Sequence, residues 1–284
     1  RFILKSNFIR GQKAMILFII RHAESWNNRM ARQNPYETYM NKRVAEPPLT
    51  ELGHHQAKIL AEHIWANPLS EQIQAESGHL DIQISQDVQP DSFAGFTADL
   101  IDEHSGFGIT KLYCSAMPRS MQTAWPISQA LGLTPEIWVD IHEHGGLYEG
   151  NPNGDTPVKN VPGMTRTEIA EQFPGYIIPD EITEEGWWWG GAEDHKGCYA
   201  RASRVAEILV NWAKEGNKER IALVSHGAFM DDLIKALLSH HEDEHYFYSH
   251  YNTAVTRMDF SPDGFAIVRY INRTSHLLPQ LISK

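Results

Sequence analysis

Arg21 and His22 are adjacent, and Glu24, Ser25 and Asn28 follow closely behind them. An always-charged guanidinium grips phosphate oxygens, and a neutral imidazole beside it can attack phosphorus. Immediately before the pair stand the apolar residues 16–20, ILFII. A short, continuous apolar run of this kind predicts a strand buried on both faces, as in a parallel sheet. The polar residues then fall at the strand's carboxyl end, where open α/β sheets place their ligand crevice. Taken alone, the pair is equally an ordinary charged turn after a strand; the rest of the chain weighs between the two.

Three further polar residues stand in comparable places. The run KLYC at Lys111–Cys114 predicts a strand that ends in Ser115, and Arg119 opens the helix after it. Residues 135–139 (PEIWV) predict another strand, followed by IHEHGGLYEG with Glu143. Residues 220–224 predict a strand running directly into Ser225, His226 and Gly227. Residues gathered at several strand ends are what one site at a single edge of the sheet would require.

The elements that must hold them can be read from periodicity. Leu52, Ile59, Leu60 and Ile64 keep helical spacing after Thr50, a predicted N-cap. The helix PRSMQTAWPISQAL takes Pro118 in its first turn, while Pro126 is expected to kink or break it. Residues 165–173 predict a short helix, and residues 199–213 an amphipathic one with Val205, Ile208, Leu209 and Trp212 on one face. A helix with Phe229, Leu233, Ile234 and Leu237 on one face follows His226. Strand runs at 254–260 and 265–271 flank the turn signal Ser-Pro-Asp-Gly. Residues 29–48 read as a polar connection. Strands alternating with helices predict a three-layer α/β/α fold with a mostly parallel sheet.

The 284 residues suffice for one large domain with insertions. Two stretches lack periodicity, at about 67–110 and 151–196, and are expected to be insertions. Met15 occupies a natural start position, so residues 1–14 are expected to be a vector-derived leader, with an organellar transit sequence as the alternative. A net charge of −11 argues against nonspecific binding of nucleic acid, yet a few cleft cations still suit an anionic small molecule. Two cysteines, Cys114 and Cys198, make a disulfide framework improbable and fit a reducing, cytoplasmic setting. No apolar run approaches the ~20 residues of a membrane span.

In register, the clusters resemble the histidine phosphatase superfamily, the phosphoglycerate mutase-like enzymes. Arg21, His22, Glu24, Ser25 and Asn28 match the family's opening signature, with Ala23 standing where glycine is usual. LTELGHHQA resembles the helix after that loop, and YCSAMPRSMQTA the second arginine motif, which assigns Arg119. HEHGGLYEG is similar to the acid motif and assigns Glu143; VSHGAFM matches the second-histidine motif and assigns His226 and Gly227. The resemblance implies the α/β fold with helices on both faces and a cap built from insertions. It also implies in-line attack by His22, giving a phosphohistidine without metal or other cofactor. Arg21, Arg119, Asn28 and a protonated His226 would surround the phosphate oxygens. Glu143, kept protonated by the nearby phosphate, would protonate the leaving oxygen and then activate water.

A phosphatase acting on a small phosphorylated metabolite is therefore expected, with no nucleic-acid or membrane partner and with a homodimer allowed. Glu149-Gly150 resembles the phosphatase branch. A mutase is the nearest alternative; it needs a second basic subsite, for which Lys159 and Arg166 are the nearby candidates. A noncatalytic phospho-ligand binding protein is the alternative of another class. Residues 241–245 (HEDEH) also fit the zinc-protease pattern, but a solvated helix end is the expected reading. The tryptophan run 187–189 is expected to be cap core rather than the wall of an aromatic pocket.

Overall fold

The computed structural model describes residues 15–66, 107–152, 157–240 and 245–284. Residues 1–14, most of the first predicted insertion, and four of the five residues of the HEDEH pattern lie outside them.

Strand β1 (Met15–Arg21) is buried along its whole length. It sits inside a six-stranded sheet with β2 (Lys111–Cys114), β3 (Glu136–Ile137), β6 (Arg220–Ser225), β7 (Val255–Phe260) and β8 (Ala266–Arg273), in the order β3-β2-β6-β1-β7-β8. The β3-β2, β2-β6 and β6-β1 pairs are parallel, whereas β7 runs antiparallel to β1 and β8 antiparallel to β7. The parallel half needs cover on both faces, which the crossover helices provide. Ile16, Phe18 and Ile20 face one core with α3 (Glu51–Ala66) and α4 (Pro118–Leu131); Met15, Leu17 and Ile19 face the other with α6 (His195–Lys214) and α7 (Gly227–Leu237). Each apolar side chain removed from water contributes ~1.5–3 kcal/mol, so this strand anchors both layers.

Two helices fill the stretch read as a polar connection: α1 (Trp26–Gln33) and α2 (Tyr36–Lys42). Helix α1 buries no residue, so no apolar period announces it. Its capping box between Ser25 and Asn28 is what starts it. Thr50 caps α3 as expected, its Oγ1 accepting from the Gly53 amide at 3.0 Å. Helix α4 runs through Pro126 without a break. The third strand shrinks to two residues, followed by a 3-10 turn at Val139–Ile141.

The short hairpin of β4 (Tyr148–Glu149) and β5 (Lys159–Asn160), helix α5 (Arg166–Gln172) and the loop to α6 form a cap against the α3–α4 side. Trp187 is core there, as predicted, while Trp188 is half-buried and Trp189 is 62% exposed. Both cysteines are free and buried. Among the described residues no helix is long and apolar enough to cross a membrane.

Candidate active site

The carboxyl ends of β1 and β6 lie side by side, Arg21 paired with Ser225. The His22 amide continues that ladder by donating to the Ser225 carbonyl at 2.8 Å. The next turn is tied from three sides. Ala23 N–H donates to Thr123 Oγ1 of α4, Glu24 N–H to Gln56 Oε1 of α3, and Thr50 N–H to the Glu24 carbonyl. Ala23 is fully buried, and the turn holds without the glycine usual in the family.

His22 is 2% exposed. Its Nδ1 lies 2.7 Å from the Ala23 carbonyl, which can only accept, so Nδ1 carries the proton. Nε2 is therefore the lone-pair nitrogen, and it accepts from Arg119 Nε at 3.3 Å. Burial, then the charges of Arg119 and Arg21, hold the imidazole well below its ordinary pKa of 6.5. It is therefore neutral at pH 7.

Around that nitrogen the donors outnumber the acceptors. Arg21 donates from Nη1 to the His250 carbonyl at 2.6 Å, while its buried Nε has no partner. Gly227 opens α7 where a Cβ would come within 3.3 Å of Arg21 Nε, so a hydrogen there leaves the guanidinium its room. Arg119 Nη1 is likewise buried and unpartnered. Burial lowers the Arg119 pKa to about 10, which leaves it charged at neutral pH.

The His226 ring lies 5.0 Å from that of His22, with Nε2 2.6 Å from Ser115 Oγ and Nδ1 unpartnered. The protonated His226 expected beside a phosphate is not its state in the phosphate-free chain. Burial and the neighbouring Arg119, His22, His142 and Arg21 push its pKa well below 6.5, so it is a neutral imidazole.

Asn28 sits in the first turn of α1, half-buried. Its Oδ1 receives Ser25 N–H at 3.1 Å, Ser25 Oγ at 2.9 Å and Asn252 Nδ2 at 3.3 Å. The amide's own donors thus point away from these three. Glu143 follows the 3-10 turn, with Oε1 accepting from the amides of His144 at 2.9 Å and Phe229 at 3.1 Å. Phe229 lies in the first turn of α7, where backbone amides favour a carboxylate. The Glu143 charge acts on both Arg21 and Arg119. All seven predicted residues thus gather at one end of β1 and β6.

Several residues escape a sequence reading. Buried Arg201 of α6 donates to the carbonyls of Asp140 and His142, which fixes the loop carrying Glu143. Thr253, at φ 58°, donates its amide to the Arg21 carbonyl at 3.0 Å. Glu46, between α2 and α3, faces Arg119 and Glu168; burial raises its pKa to about 7. None belongs to a local pattern, since each partner comes from a distant part of the chain. Among the described residues no three or more His, Cys, Asp or Glu side chains group to hold a metal ion.

The geometry is a charged, donor-rich pocket around one unprotonated nitrogen, suited to a tetrahedral oxyanion. The family model "Histidine phosphatase superfamily (branch 1)" matches residues 97–273, a span that starts after the His22 turn. A comparison with curated proteins finds no match. Among solved structures, the ecdysone phosphate phosphatase of Bombix mori in complex with tungstate is similar at TM-score 0.54 and 16% identity, over 92% of this chain and 96% of that one. A protein described as mycobacterial hydrolase 1 is similar at TM-score 0.51 and 16% identity, over 93% and 100%. A mycobacterial glucosyl-3-phosphoglycerate phosphatase with VO3 gives TM-score 0.50 at 16% identity, over 92% and 100%. At these identities the likeness is one of fold, and the family match across more than half of the sequence carries the assignment: the chain belongs to branch 1 of the histidine phosphatase superfamily.

Proposed function

We propose that this protein hydrolyses a small phosphomonoester through a phosphohistidine on His22. The observation that carries the proposal is the state of His22, whose proton is held on Nδ1 by Ala23 while Nε2 accepts from Arg119 Nε, with buried Arg21 Nε and Arg119 Nη1 left without partners. A dianionic phosphoryl group would bring acceptors to those donors and would raise the pKa of His226 toward its charged form. Arg21, Arg119, Asn28 and Gly227's neighbourhood position the oxygens, and Nε2 attacks phosphorus in line. Glu143, having taken up a proton beside the bound phosphate dianion, gives it to the leaving oxygen, then takes one from the water that cleaves the phosphohistidine.

Hydrolysis is favoured over transfer by the fate of the candidate second subsite. The Arg166 guanidinium donates to the carbonyls of Pro179, Ile182 and Ile178, so it braces the cap, and Lys159 is exposed on β5. Two of the similar structures are described as phosphatases, of ecdysone phosphate and of glucosyl-3-phosphoglycerate. The net charge of −11 supports a small-molecule partner over nucleic acid.

The test is a rapid-quench assay on wild type and His22→Ala with p-nitrophenyl phosphate and 3-phosphoglycerate. Wild type should carry acid-labile, base-stable phosphate during turnover and release free phosphate; the variant should do neither while melting cooperatively. Isomerised phosphoglycerate with negligible phosphate release would establish the mutase reading instead. Near wild-type turnover by His22→Ala would remove the nucleophile assignment.

A further inference from the structure

We infer that Asn252 is a positioning residue that clamps His22 to Asn28 and fixes which end of the Asn28 amide faces the phosphoryl group. This rests on the phosphatase reading above. Asn252 is completely buried. Its Nδ2 supplies hydrogens to two acceptors, the His22 carbonyl at 3.0 Å and Asn28 Oδ1 at 3.3 Å. One amide thus touches both the residue carrying the nucleophile and a neutral donor of the pocket.

The orientation of that amide is forced by a directional chain that begins on the backbone. Glu24 N–H can only donate, and it donates to Gln56 Oε1 at 2.9 Å. Gln56 Nε2 must then donate, and does so to the Leu281 carbonyl at 2.7 Å and Ser283 Oγ at 2.9 Å. Having accepted from Gln56, Ser283 Oγ directs its own hydrogen to Asn252 Oδ1 at 3.0 Å. The Asn252 backbone N–H also donates to the Ser283 carbonyl at 2.9 Å, which holds that segment in place. Asn252 Nδ2 is left facing His22 and Asn28. No member of the chain can turn round without leaving a buried donor or acceptor unpaired, at a cost that buried networks do not tolerate.

The consequence lies at Asn28. With Ser25 and Asn252 donating to its Oδ1, its Nδ2 is the group presented outward. Asn252→Asp keeps the shape, and its second oxygen replaces the donor with an acceptor. That oxygen repels both the His22 carbonyl and Asn28 Oδ1, and so pushes Asn28 out of the position in which Ser25 N–H holds its oxygen and its Nδ2 is presented to the phosphate.

A double-mutant cycle on orthovanadate affinity tests this, using the full chain with Asn252→Asp, Asn28→Ala, the pair, and Ser283→Ala. Asn252→Asp should weaken orthovanadate about tenfold, roughly one charge-assisted hydrogen bond. In the Asn28→Ala background the same change should cost less than twofold, because the group it acts through is gone. Ser283→Ala, which cannot touch the phosphate, should show the same dependence on Asn28 at about threefold, and it carries the test if Asn252→Asp does not melt cooperatively. Equal losses with and without Asn28, or no loss at all, would overturn the inference and mark a merely structural role. Wild type that neither binds orthovanadate nor forms phosphoenzyme would instead bring down the phosphatase reading, and this inference with it.

Discussion

At the scale of single residues the division of labour follows from protons. In the proposed mechanism His22 Nε2, which has none, attacks, and Glu143 supplies one to the departing oxygen. Glu143→Gln keeps the size and the amide contacts at Oε1 but has no proton to give. Hydrolysis of an alkyl phosphate should fall ~10²–10⁴-fold, and of an aryl phosphate, whose leaving group needs little help, by far less. Equal losses for the two, measured as kcat/KM, would assign Glu143 to binding. Glu46 offers a second check. Its pKa near 7 exceeds the unfolded value of 4.5, so the folded chain holds a proton that the unfolded chain releases between those limits. That contribution is fully present below pH 4.5 and is lost as pH rises through 7. Glu46→Gln should flatten the stability profile there by up to one proton, ~1.4 kcal/mol per pH unit. An unchanged slope in urea melts at pH 5 and 7 would refute it. The side chains proposed to react stood out in the sequence because their chemistry is in their type. Ser115, Arg201 and Asn252 did not, because what matters is the partner: His226 lies 111 positions from Ser115 and His22 lies 230 from Asn252.

Elements were legible where burial leaves a period. The strands at β1, β2 and β6 and the helices α3, α4, α6 and α7 each carry an apolar pattern that two cores consume. Helix α1, which buries nothing, could be found only through its cap, and the same absence of burial hid the arm that carries Asn28. Pro126 does not break α4, since packing of α4 on α3 and the sheet outweighs one lost helical hydrogen bond. The join between α3 and the His22 turn is close enough to be tested. A Cβ on Gly53 would stand 2.0 Å from the Glu24 carbonyl oxygen, a backbone atom with no freedom to swing aside. Gly53→Ala should therefore destabilise the chain by ~1–3 kcal/mol, despite alanine's better helix propensity, and lower kcat by shifting the turn. A neutral or stabilising result in thermal melts would mean that α3 and the turn move apart freely.

For the whole molecule, an acidic chain built round a cationic pocket confines several buried histidines as neutral groups. Burial lowers His22 and His226 well below 6.5, His142 to about 3, and His250 and His276 each to about 4. Each of these five takes up a proton on unfolding once the pH drops below 6.5, so the stability they hold is lost as pH falls toward their folded values. Glu46, Glu181 and Asp232, with raised pKa values, act in the opposite sense, but they are fewer. The net expectation is an acid-labile protein whose Tm drops steeply between pH 6.5 and 5. Unfolding at pH 5.5 should take up about two to four protons, read from calorimetry in buffers of different ionisation heat. His276 is the place to dissect the effect, since it lies outside the pocket, its ring stacked on His63 and its Nε2 3.1 Å from Thr253 Oγ1. His276→Gln can still donate to Thr253 and does not titrate, so it should reduce that uptake by close to one proton and leave phosphate release at pH 7 within about twofold of wild type. Net proton release at pH 5.5, or an uptake unchanged by His276→Gln, would show that these histidines are already charged in the folded chain.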